Sequence, residues 1–172
     1  DIFIEKNIKV LINENTNTIE IFQESPGARI YFKGGELKDL KIIFNGFNVI
    51  ENGNLNLKTF PKNYPINDKT LTGCLSFIDL KVSKLSVKAI NSSCEDTVNF
   101  INVDGHIREI SINNSFSDAL DVDFSRLKID KINIEYALND CVDFSAGSYE
   151  LGKLNLKNCG DKALSVGEKS LK

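Results

Sequence analysis

The apolar residues of this chain recur in one short spacing, apolar-x-x-apolar-x-apolar, which is found five times. The copies are Leu37/Leu40/Ile42, Val82/Leu85/Val87, Ile107/Ile110/Ile112, Ile129/Ile132/Ile134 and Leu151/Leu154/Leu156. The last three copies begin 22 residues apart. A fixed period of about 20–25 residues, filled with strand-forming residues, is typical of a solenoid whose coils stack on one another.

Apolar positions between these copies keep the same period. Two columns of residues spaced by 22 are Val98/Leu120/Val142/Leu164 and Phe100/Val122/Phe144/Val166. The columns lie two residues apart, which places both on the inward face of one strand. We therefore predict an all-β, right-handed parallel β-helix with about 22 residues and three short strands in each coil. A β-sandwich is the alternative, although it gives no reason for columns to persist over four coils.

We predict one domain, residues 1–172, with an N-terminal strand-hairpin cap at 1–26 and coils over 27–172. The cap is expected because apolar residues alternate on either side of a polar turn, and because a solenoid needs its open ends covered. The last coil stops halfway round near Lys172. We expect a fragment of a longer chain that continues into further coils, and packing of this end on another chain is the alternative.

The period is broken near 49–70, where Asn and Lys are frequent and where Pro61 and Pro65 lie close together. This segment is an irregular coil or a loop that projects from the solenoid. A loop of this length inside a compact domain is more often functional or lid-like than structural. We therefore expect an irregular insertion here.

The charge balance limits the classes of partner. The chain has 21 Lys and Arg residues against 24 Asp and Glu residues, for a net charge of −3. The absence of a cationic excess argues against nucleic acid and anionic membranes as partners. No run approaches about 18 apolar residues, so we expect no membrane span. Frequent β-branched residues favour strands over helices.

The four cysteines are expected to be free, buried thiols. Cys141 and Cys159 fall in columns of small or apolar residues, and the column positions place the cysteines on separate coils. No Cys-x-x-Cys spacing occurs, so a zinc site is not expected.

Polar residues in three columns form what we call the acidic ridge. They are Asp96/Asp118/Asp140/Lys162, Glu95/Ser117/Asn139/Asp161 and Asn99/Asp121/Asp143/Ser165. Carboxylates stacked about 5 Å apart repel one another and raise each other's pKa unless a cation or a hydrogen-bond donor lies between them. The ridge therefore fits an acid/base pair or a Ca²⁺ site. The alternative is that each Asp accepts backbone N–H groups where the coil turns.

Three runs along the ridge resemble successive coils of the polygalacturonase family. The runs are Ser117–Val122, Asn139–Ser148 and Gly160–Gly167, and the resemblance covers about 55 of the 172 residues. The corresponding family segments read Asn-Thr-Asp-Gly, Asp-Asp-Cys with a following Gly-Ser, and Gly-His-Gly-Leu-Ser-Ile-Gly. The resemblance implies a right-handed parallel β-helix and inverting hydrolysis of polygalacturonide-type chains by three aspartates.

By this resemblance, Asp118 matches the first family aspartate and Asp140 matches the last, which serves as general acid. Asn139 stands where the family has its middle aspartate, and Lys162 stands where it has a histidine. An inverting hydrolase needs a base that activates water. Because Asn139 cannot accept a proton, the sequence favours a protein without this activity.

Functions from different classes remain open. The leading hypothesis is a non-catalytic module that binds a glycan or a protein partner within a larger extracellular or cell-surface protein. The alternative is a polysaccharide hydrolase or lyase with a modified acidic site, and a structural stalk is the third. Candidate catalytic residues are Asp118, Asp140 and Asp143, and candidate binding residues are Asp121, Asn139, Lys162 and Arg126. We expect no cofactor and assign no metal ligands, with Ca²⁺ at the acidic ridge as the one candidate ion.

Overall fold

The computed structural model describes residues 1–51, 54–56 and 60–167. These ranges contain strands, one three-residue 3-10 turn at Glu14–Thr16 and no α-helix. The strands are β1 (Ile2–Ile4), β2 (Ile8–Asn13), β3 (Thr18–Gln23), β4 (Ile30–Lys33), β5 (Glu36–Lys38), β6 (Lys41–Asn45), β7 (Ile50–Glu51), β8 (Asn54–Leu55), β9 (Gly73–Ile78), β10 (Lys81–Ile90), β11 (Asp96–Ile101), β12 (Asp104–Ser115), β13 (Asp118–Asp123), β14 (Arg126–Ala137), β15 (Val142–Ser145), β16 (Ser148–Cys159) and β17 (Ser165–Val166). No helix within the described ranges has the length and apolarity needed to cross a membrane.

Two sheets made mostly of parallel strands form the body of the protein. The short-strand sheet has the order β1-β4-β9-β11-β13-β15-β17, and the long-strand sheet has the order β16-β14-β12-β10-β6-β3-β2. Val98 pairs with Leu120, and Leu120 pairs with Val142, so residues 22 positions apart are neighbours on adjacent strands. The predicted stack of coils is confirmed, and the protein is a parallel β-solenoid.

Each coil contains two main strands, whereas the sequence pattern predicts three. The second and third predicted faces belong to one strand, because β12 and β14 remain paired from Ile107 through Ile112. Two consecutive outward residues between Ile107 and Ile110 let the strand bend while its hydrogen bonds continue. The long-strand sheet therefore wraps two sides of the core.

The apolar spacing is shifted in the coil that contains β10. Leu85 pairs with Ile107, and Val82 pairs with Gly105, although the spacing had matched Val82 with Ile107. The register shifts on both sides of Leu85, next to Lys84, whose φ of 56° marks a bulge. A side chain at Gly105 would clash with the carbonyl oxygen of Val82, so this position is left to glycine.

The core is a set of stacked columns enclosed by the two sheets. Phe77 stacks between Phe32 and Phe100, with ring centroids 5.4 and 4.6 Å away, and all three rings are at most 1% exposed. On the side of the long-strand sheet, stacked residues such as Ile110 and Ile132 are also fully buried. Burying one such side chain stabilises the fold by about 1.5–3 kcal/mol. The repeat is therefore held together mainly by the contacts of like residues on successive coils.

Antiparallel strands cover the N-terminal end of the solenoid. β2 pairs antiparallel with β3 through the turn at Glu14–Thr16, and β3 pairs parallel with β6. β1 pairs antiparallel with β4. Asn17 has the left-handed φ of 46° that ends this turn. The predicted strand-hairpin cap is present.

A longer connection joins β6 to β9. Ile30 of β4 pairs with Leu75 of β9 although the two are 45 residues apart in the chain, about twice the usual period. The connection includes the short antiparallel pair β7–β8. Residues 52, 53 and 57–59 of the predicted insertion lie outside the described residues, as does the predicted half-coil end at Lys172.

All four cysteines are paired in disulfides, Cys74–Cys94 and Cys141–Cys159, so the prediction of free thiols is wrong. The paired cysteines are 20 and 18 residues apart, slightly less than one coil. The chain has then travelled almost once round, and the two residues meet across a corner on adjacent coils with Cα atoms 5.4 and 5.3 Å apart. The prediction compared each cysteine only with residues at the same position in other coils. It therefore missed a contact between cysteines at two different positions of the coil.

Candidate functional site

The acidic ridge lies on the outer surface of the short-strand sheet. Leu120 and Val122 of β13 point into the core, so the alternating residues Asp121 and Asp123 point outward. Asp121 pairs with Asn99 on one side and with Asp143 on the other. The structure therefore brings Asp121 and Asp143 together on one face, as the sequence columns predict.

Asp118 and Asp140 connect successive coils through the backbone. Oδ1 of Asp118 accepts the N–H of Asp140 at 2.9 Å and the amide Nδ2 of Asn139 at 2.7 Å. Oδ1 of Asp140 accepts the N–H of Lys162 at 2.8 Å. Each carboxylate thus holds the start of the next coil, which is the structural role that was the alternative to catalysis.

Lys162 neutralises the end of this row. Its Nζ lies 3.5 Å from Oδ2 of Asp140 and 2.9 Å from Oδ2 of Asp161. The hydrogen bond to Asp161 is the main reason that the pKa of Lys162 is raised, and the charge of Asp140 adds to it. Since Asp140 is only 5% exposed and its two oxygens are engaged, it has little freedom to act on a ligand.

Arg126 does not belong to the ridge. It opens β14 in the long-strand sheet and donates two hydrogen bonds to the carboxylate of Asp104, at 2.9 and 2.6 Å. The hydrogen bond from Arg126 is the main cause that lowers the pKa of Asp104. The predicted binding residue is therefore an exposed member of an ion pair on another face.

Five polar residues form what we call the outer acidic cluster: Asp96, Asn99, Asp121, Asp123 and Asp143. Nδ2 of Asn99 donates to Oδ2 of Asp121 at 2.6 Å and to Oδ2 of Asp96 at 3.3 Å. Asn99 is 1% exposed and Asp96 is 3% exposed. Oδ1 of Asn99 and Oδ1 of Asp143 are buried and have no hydrogen-bond partner among the described residues.

Burial and mutual repulsion oppose ionisation of these carboxyl groups. Burial, together with the charges of Asp118 and Glu95, raises the pKa of Asp96 to about 7. Burial also raises the pKa of Asp121 to about 9, with added repulsion from its acidic neighbours in the cluster. Protons or a cation must relieve this repulsion. Within the described ranges, no three Asp, Glu, His or Cys side chains are arranged to hold a metal ion.

The long connection borders the ridge and is fixed by a buried arginine. Arg29 is 0% exposed, and its guanidinium donates to the carbonyl oxygens of Gly27, Asn63 and Pro65 at 3.1, 3.3 and 3.0 Å. Tyr64 packs against both Phe60 and Phe116, with ring centroids 5.3 and 5.2 Å away. The connection is therefore packed against the solenoid at its C-terminal half.

Tyr64 ties this connection to the edge of the ridge. Burial, a hydrogen bond to the carboxylate of Glu95 and the charge of that group together raise the pKa of Tyr64 to about 12. Asp118 contributes a smaller repulsion to the phenolate form. The hydroxyl therefore keeps its proton and donates it toward Glu95.

A groove of about 580 Å³ lies between the N-terminal cap and the long connection. We call it the cap groove, and its lining residues are Glu5, Lys6, Asn7, Ser25, Pro26, Ala28, Phe47, Phe60, Lys62 and Asn63. None of these residues was among the sequence candidates. The break in the period near 49–70 was a signal for the segment, but the partners on the cap lie far away in sequence and could not be identified from spacing.

A second groove of about 340 Å³ crosses the long-strand sheet beside Asn133 and Asn155. Nδ2 of Asn155 donates to Oδ1 of Asn133 at 2.7 Å, and Nδ2 of Asn133 donates to Glu109 at 2.8 Å. These amides already satisfy one another, and no aromatic ring lines the groove. The cap groove is the better candidate for a ligand.

No protein-family model matches the chain, and no curated protein or solved structure matches it either.

Proposed function

We propose that this chain is a non-catalytic β-solenoid module that binds a glycan in the cap groove. The observation that supports the proposal most directly is the groove itself, about 580 Å³ in volume, with the ring of Phe60 39% exposed on its wall. A sugar ring offers C–H groups on one face and hydroxyls at its edge. A half-exposed phenyl ring surrounded by polar side chains complements both.

The polar groups around Phe60 can supply hydrogen bonds to hydroxyls. The ammonium groups of Lys6 and Lys62 form no salt bridge with any residue in the described part of the chain. Asn7 is fixed by a hydrogen bond to Ser25 at 3.1 Å. The lysine ammonium groups are free to donate to a ligand, and Asn7 is already fixed by its hydrogen bond. Less conformational entropy is therefore lost when a ligand binds.

The wall of the groove on the cap side is rigid. Both oxygens of the Glu5 carboxylate accept hydrogen bonds, one from Nδ2 of Asn67 at 2.7 Å and one from the N–H of Arg29 at 2.9 Å. Asn63 donates to the carbonyl oxygen of Gly27 at 2.9 Å. These bonds join the two sides of the groove, so its shape is set before a ligand arrives.

The bonding of the ridge supports a module without hydrolase activity. Asp118 and Asp140 both use Oδ1 to hold the backbone of the next coil. Asn139, at the position of a family aspartate, donates its amide to Asp118 rather than serving as a base. The resemblance to polygalacturonase coils therefore fits the repeat better than it fits the chemistry of that family.

The two disulfides support a location in an oxidising compartment, since such bonds persist in secreted and surface proteins and are rare in the cytosol. A glycan-binding module of a secreted or cell-surface protein is consistent with this. The proposal does not depend on the compartment, because the groove can be tested with purified protein.

The test is a panel of neutral and acidic oligosaccharides titrated against the whole chain, with heat of binding and release of new reducing ends measured on the same samples. We expect at least one glycan to bind without release. Phe60→Ala should weaken this binding about tenfold or more, because it removes the exposed phenyl ring on the wall of the groove.

The matched control is Phe124→Ala, which removes a phenyl ring that is 64% exposed and does not line the groove. Binding should survive in this variant. If the wild type releases reducing ends and Asp140→Asn does not, the proposal of a non-catalytic module is contradicted. Binding of no glycan, or equal losses in the two Phe variants, would contradict the cap groove as a glycan site.

A further inference from the structure

Near the C-terminal end of each long strand, one residue per coil has a left-handed backbone. These residues are Asn91, Asn114, Tyr136 and Asn158, with φ values of 61°, 65°, 72° and 55°. The residues before them in the chain, Ile90, Asn113, Glu135 and Lys157, pair with one another on adjacent strands. The four left-handed residues therefore form one column along a corner of the solenoid. Asparagine adopts this conformation more readily than bulky residues do, so Tyr136 is the exception.

Tyr136 strains the corner that it occupies and gains little burial in return. Its side chain is 49% exposed. In the coils before it, Nδ2 of Asn114 donates to Oδ1 of Asn91 at 2.7 Å, so the asparagines of the column also stabilise one another. Residues with backbone strain that packing does not explain are concentrated at binding and catalytic sites. Tyr136 is therefore a candidate for contact with a ligand.

A second exposed aromatic residue, Phe124, has the same strain at another corner, with a φ of 51°. It lies between β13 and β14 and is 64% exposed. The N–H of Asn102 donates to the carbonyl oxygen of Asp123, which places Asn102, with a φ of 53°, beside Phe124. Strain alone does not distinguish Phe124 from Tyr136, so the surroundings of the two corners decide.

The corner that contains Tyr136 adjoins the long connection. Nδ2 of Asn114 donates to Oδ1 of Asn48 in this connection at 3.4 Å. Phe116, two residues after Asn114, packs against the ring of Phe60 with centroids 5.6 Å apart. Because Phe60 also lines the cap groove, the apolar surface that begins in the groove continues to Phe116.

Leu138 and Tyr136 extend this surface by one coil. The N–H of Leu138 donates to the carbonyl oxygen of Ser115 at 3.2 Å, so Leu138 takes the position of Phe116 in the next coil. Phe116 is 7% exposed, whereas Leu138 is 45% exposed. On the other side of Tyr136, the exposed amide of Asn158 makes no hydrogen bond with any described residue. An aromatic ring, an apolar neighbour and an available amide therefore lie together.

We propose that Tyr136 is a second glycan-binding residue, which holds the part of a longer glycan that extends from the cap groove past Phe60. The proposal rests on the proposed function of the cap groove. That groove, of about 580 Å³, has the size of a site for one small ligand, so only a longer oligosaccharide reaches Tyr136. The ring packs on the apolar face of a sugar, and its hydroxyl and the Asn158 amide bond the hydroxyls at the edge.

The experiment titrates the whole chain with a disaccharide and an octasaccharide of a neutral series, cello-oligosaccharides, and of an acidic series, oligogalacturonates. In the series that binds, the octasaccharide should bind about tenfold more tightly than the disaccharide. Tyr136→Asn should weaken binding of the octasaccharide about fivefold or more and leave that of the disaccharide unchanged. Because Asn suits the left-handed position, this variant should also raise the Tm by about 2–4 °C, which separates a loss of binding from a loss of folding.

The matched control is Phe124→Asn, which relieves the same strain at the other corner and should raise the Tm without a change in binding. Tyr136→Gly, which the left-handed position also accepts, takes the place of Tyr136→Asn if that variant does not fold. Equal losses in Tyr136→Asn and Phe124→Asn, no loss in either, or an equal loss for both glycan lengths would overturn the proposal. Weaker binding in Phe60→Ala would then still support the cap groove, so the two proposals can fail separately.

Discussion

The guanidinium of Arg29 donates a 3.0 Å hydrogen bond to the carbonyl oxygen of Pro65, which lies 36 residues later in the chain. The same group bonds the carbonyl oxygens of Gly27 and Asn63 and is fully buried. Three carbonyl groups of two separate segments thus converge on one side chain. The position of the long connection relative to the solenoid depends on this contact, and so does the shape of the cap groove.

Arg29→Lys should lower the free energy of unfolding by about 3 kcal/mol, because one ammonium cannot replace the fork of the guanidinium and leaves buried carbonyl groups unpaired. Urea denaturation gives the change in stability. Arg126→Lys is the control, since Arg126 is exposed and its loss should have little effect on the unfolding midpoint. Equal midpoints for the two variants would show that Arg29 does not hold the connection.

Asp118→Ala should lower the free energy of unfolding by about 1 kcal/mol, because the N–H of Asp140 loses its acceptor. Asp118→Asn keeps an oxygen at this position and should cost about half as much. Both variants should bind glycan as the wild type does. Thermal denaturation and a glycan titration on the same samples check this, and loss of binding at full stability would return Asp118 to the functional site.

The columns of inward residues could be predicted from the sequence because each strand buries the same kind of side chain once per coil. Val98, Leu120 and Val142 pair as their spacing predicts. The same logic failed around Val82, where the bulge at Lys84 shifts the register and Gly105 takes the position opposite. A bulge changes the count of residues without changing their polarity, so the pattern alone does not reveal it.

The candidate site was predicted only in part. Asp121 and Asp143 do share one face, because they occupy one column of the repeat. Arg126 was grouped with Asp121 as a candidate binding residue, but it lies on the other sheet, since its position in the coil falls after a corner. The cap groove escaped prediction because the position of Phe60 across the groove from the cap has no periodic signal.

Removal of the Cys74–Cys94 disulfide by the double change Cys74→Ser and Cys94→Ser should destabilise the protein by about 3 kcal/mol. The bond closes a loop of 20 residues, and its loss returns that conformational freedom to the unfolded chain. Chemical denaturation of the variant and the wild type measures the difference. No change in stability would show that the two thiols are unpaired in the folded protein.

Mild reductant should open Cys141–Cys159 before Cys74–Cys94. Cys74 and Cys94 are both fully buried, whereas Cys159 is only partly buried at the last long strand. Timed alkylation followed by mass spectrometry identifies which pair reacts first. Simultaneous labelling of both pairs would mean that global unfolding, and not local access, controls reduction.

Tyr64 should be the last of the four tyrosines to ionise, because burial and the Glu95 carboxylate raise its pKa to about 12 from the ordinary value of about 10. The folded protein keeps this proton at a pH where the unfolded chain has lost it. The stability that Tyr64 contributes is therefore complete below about pH 10 and disappears as the pH rises to about 12. Ultraviolet absorbance of the phenolate follows the titration. Tyr64→Phe should remove the late step, Glu95→Gln should move it to lower pH, and Tyr136→Phe, which removes an exposed ring, should leave it in place. A late step that survives in Tyr64→Phe would show that the long connection does not hold Tyr64 against Glu95.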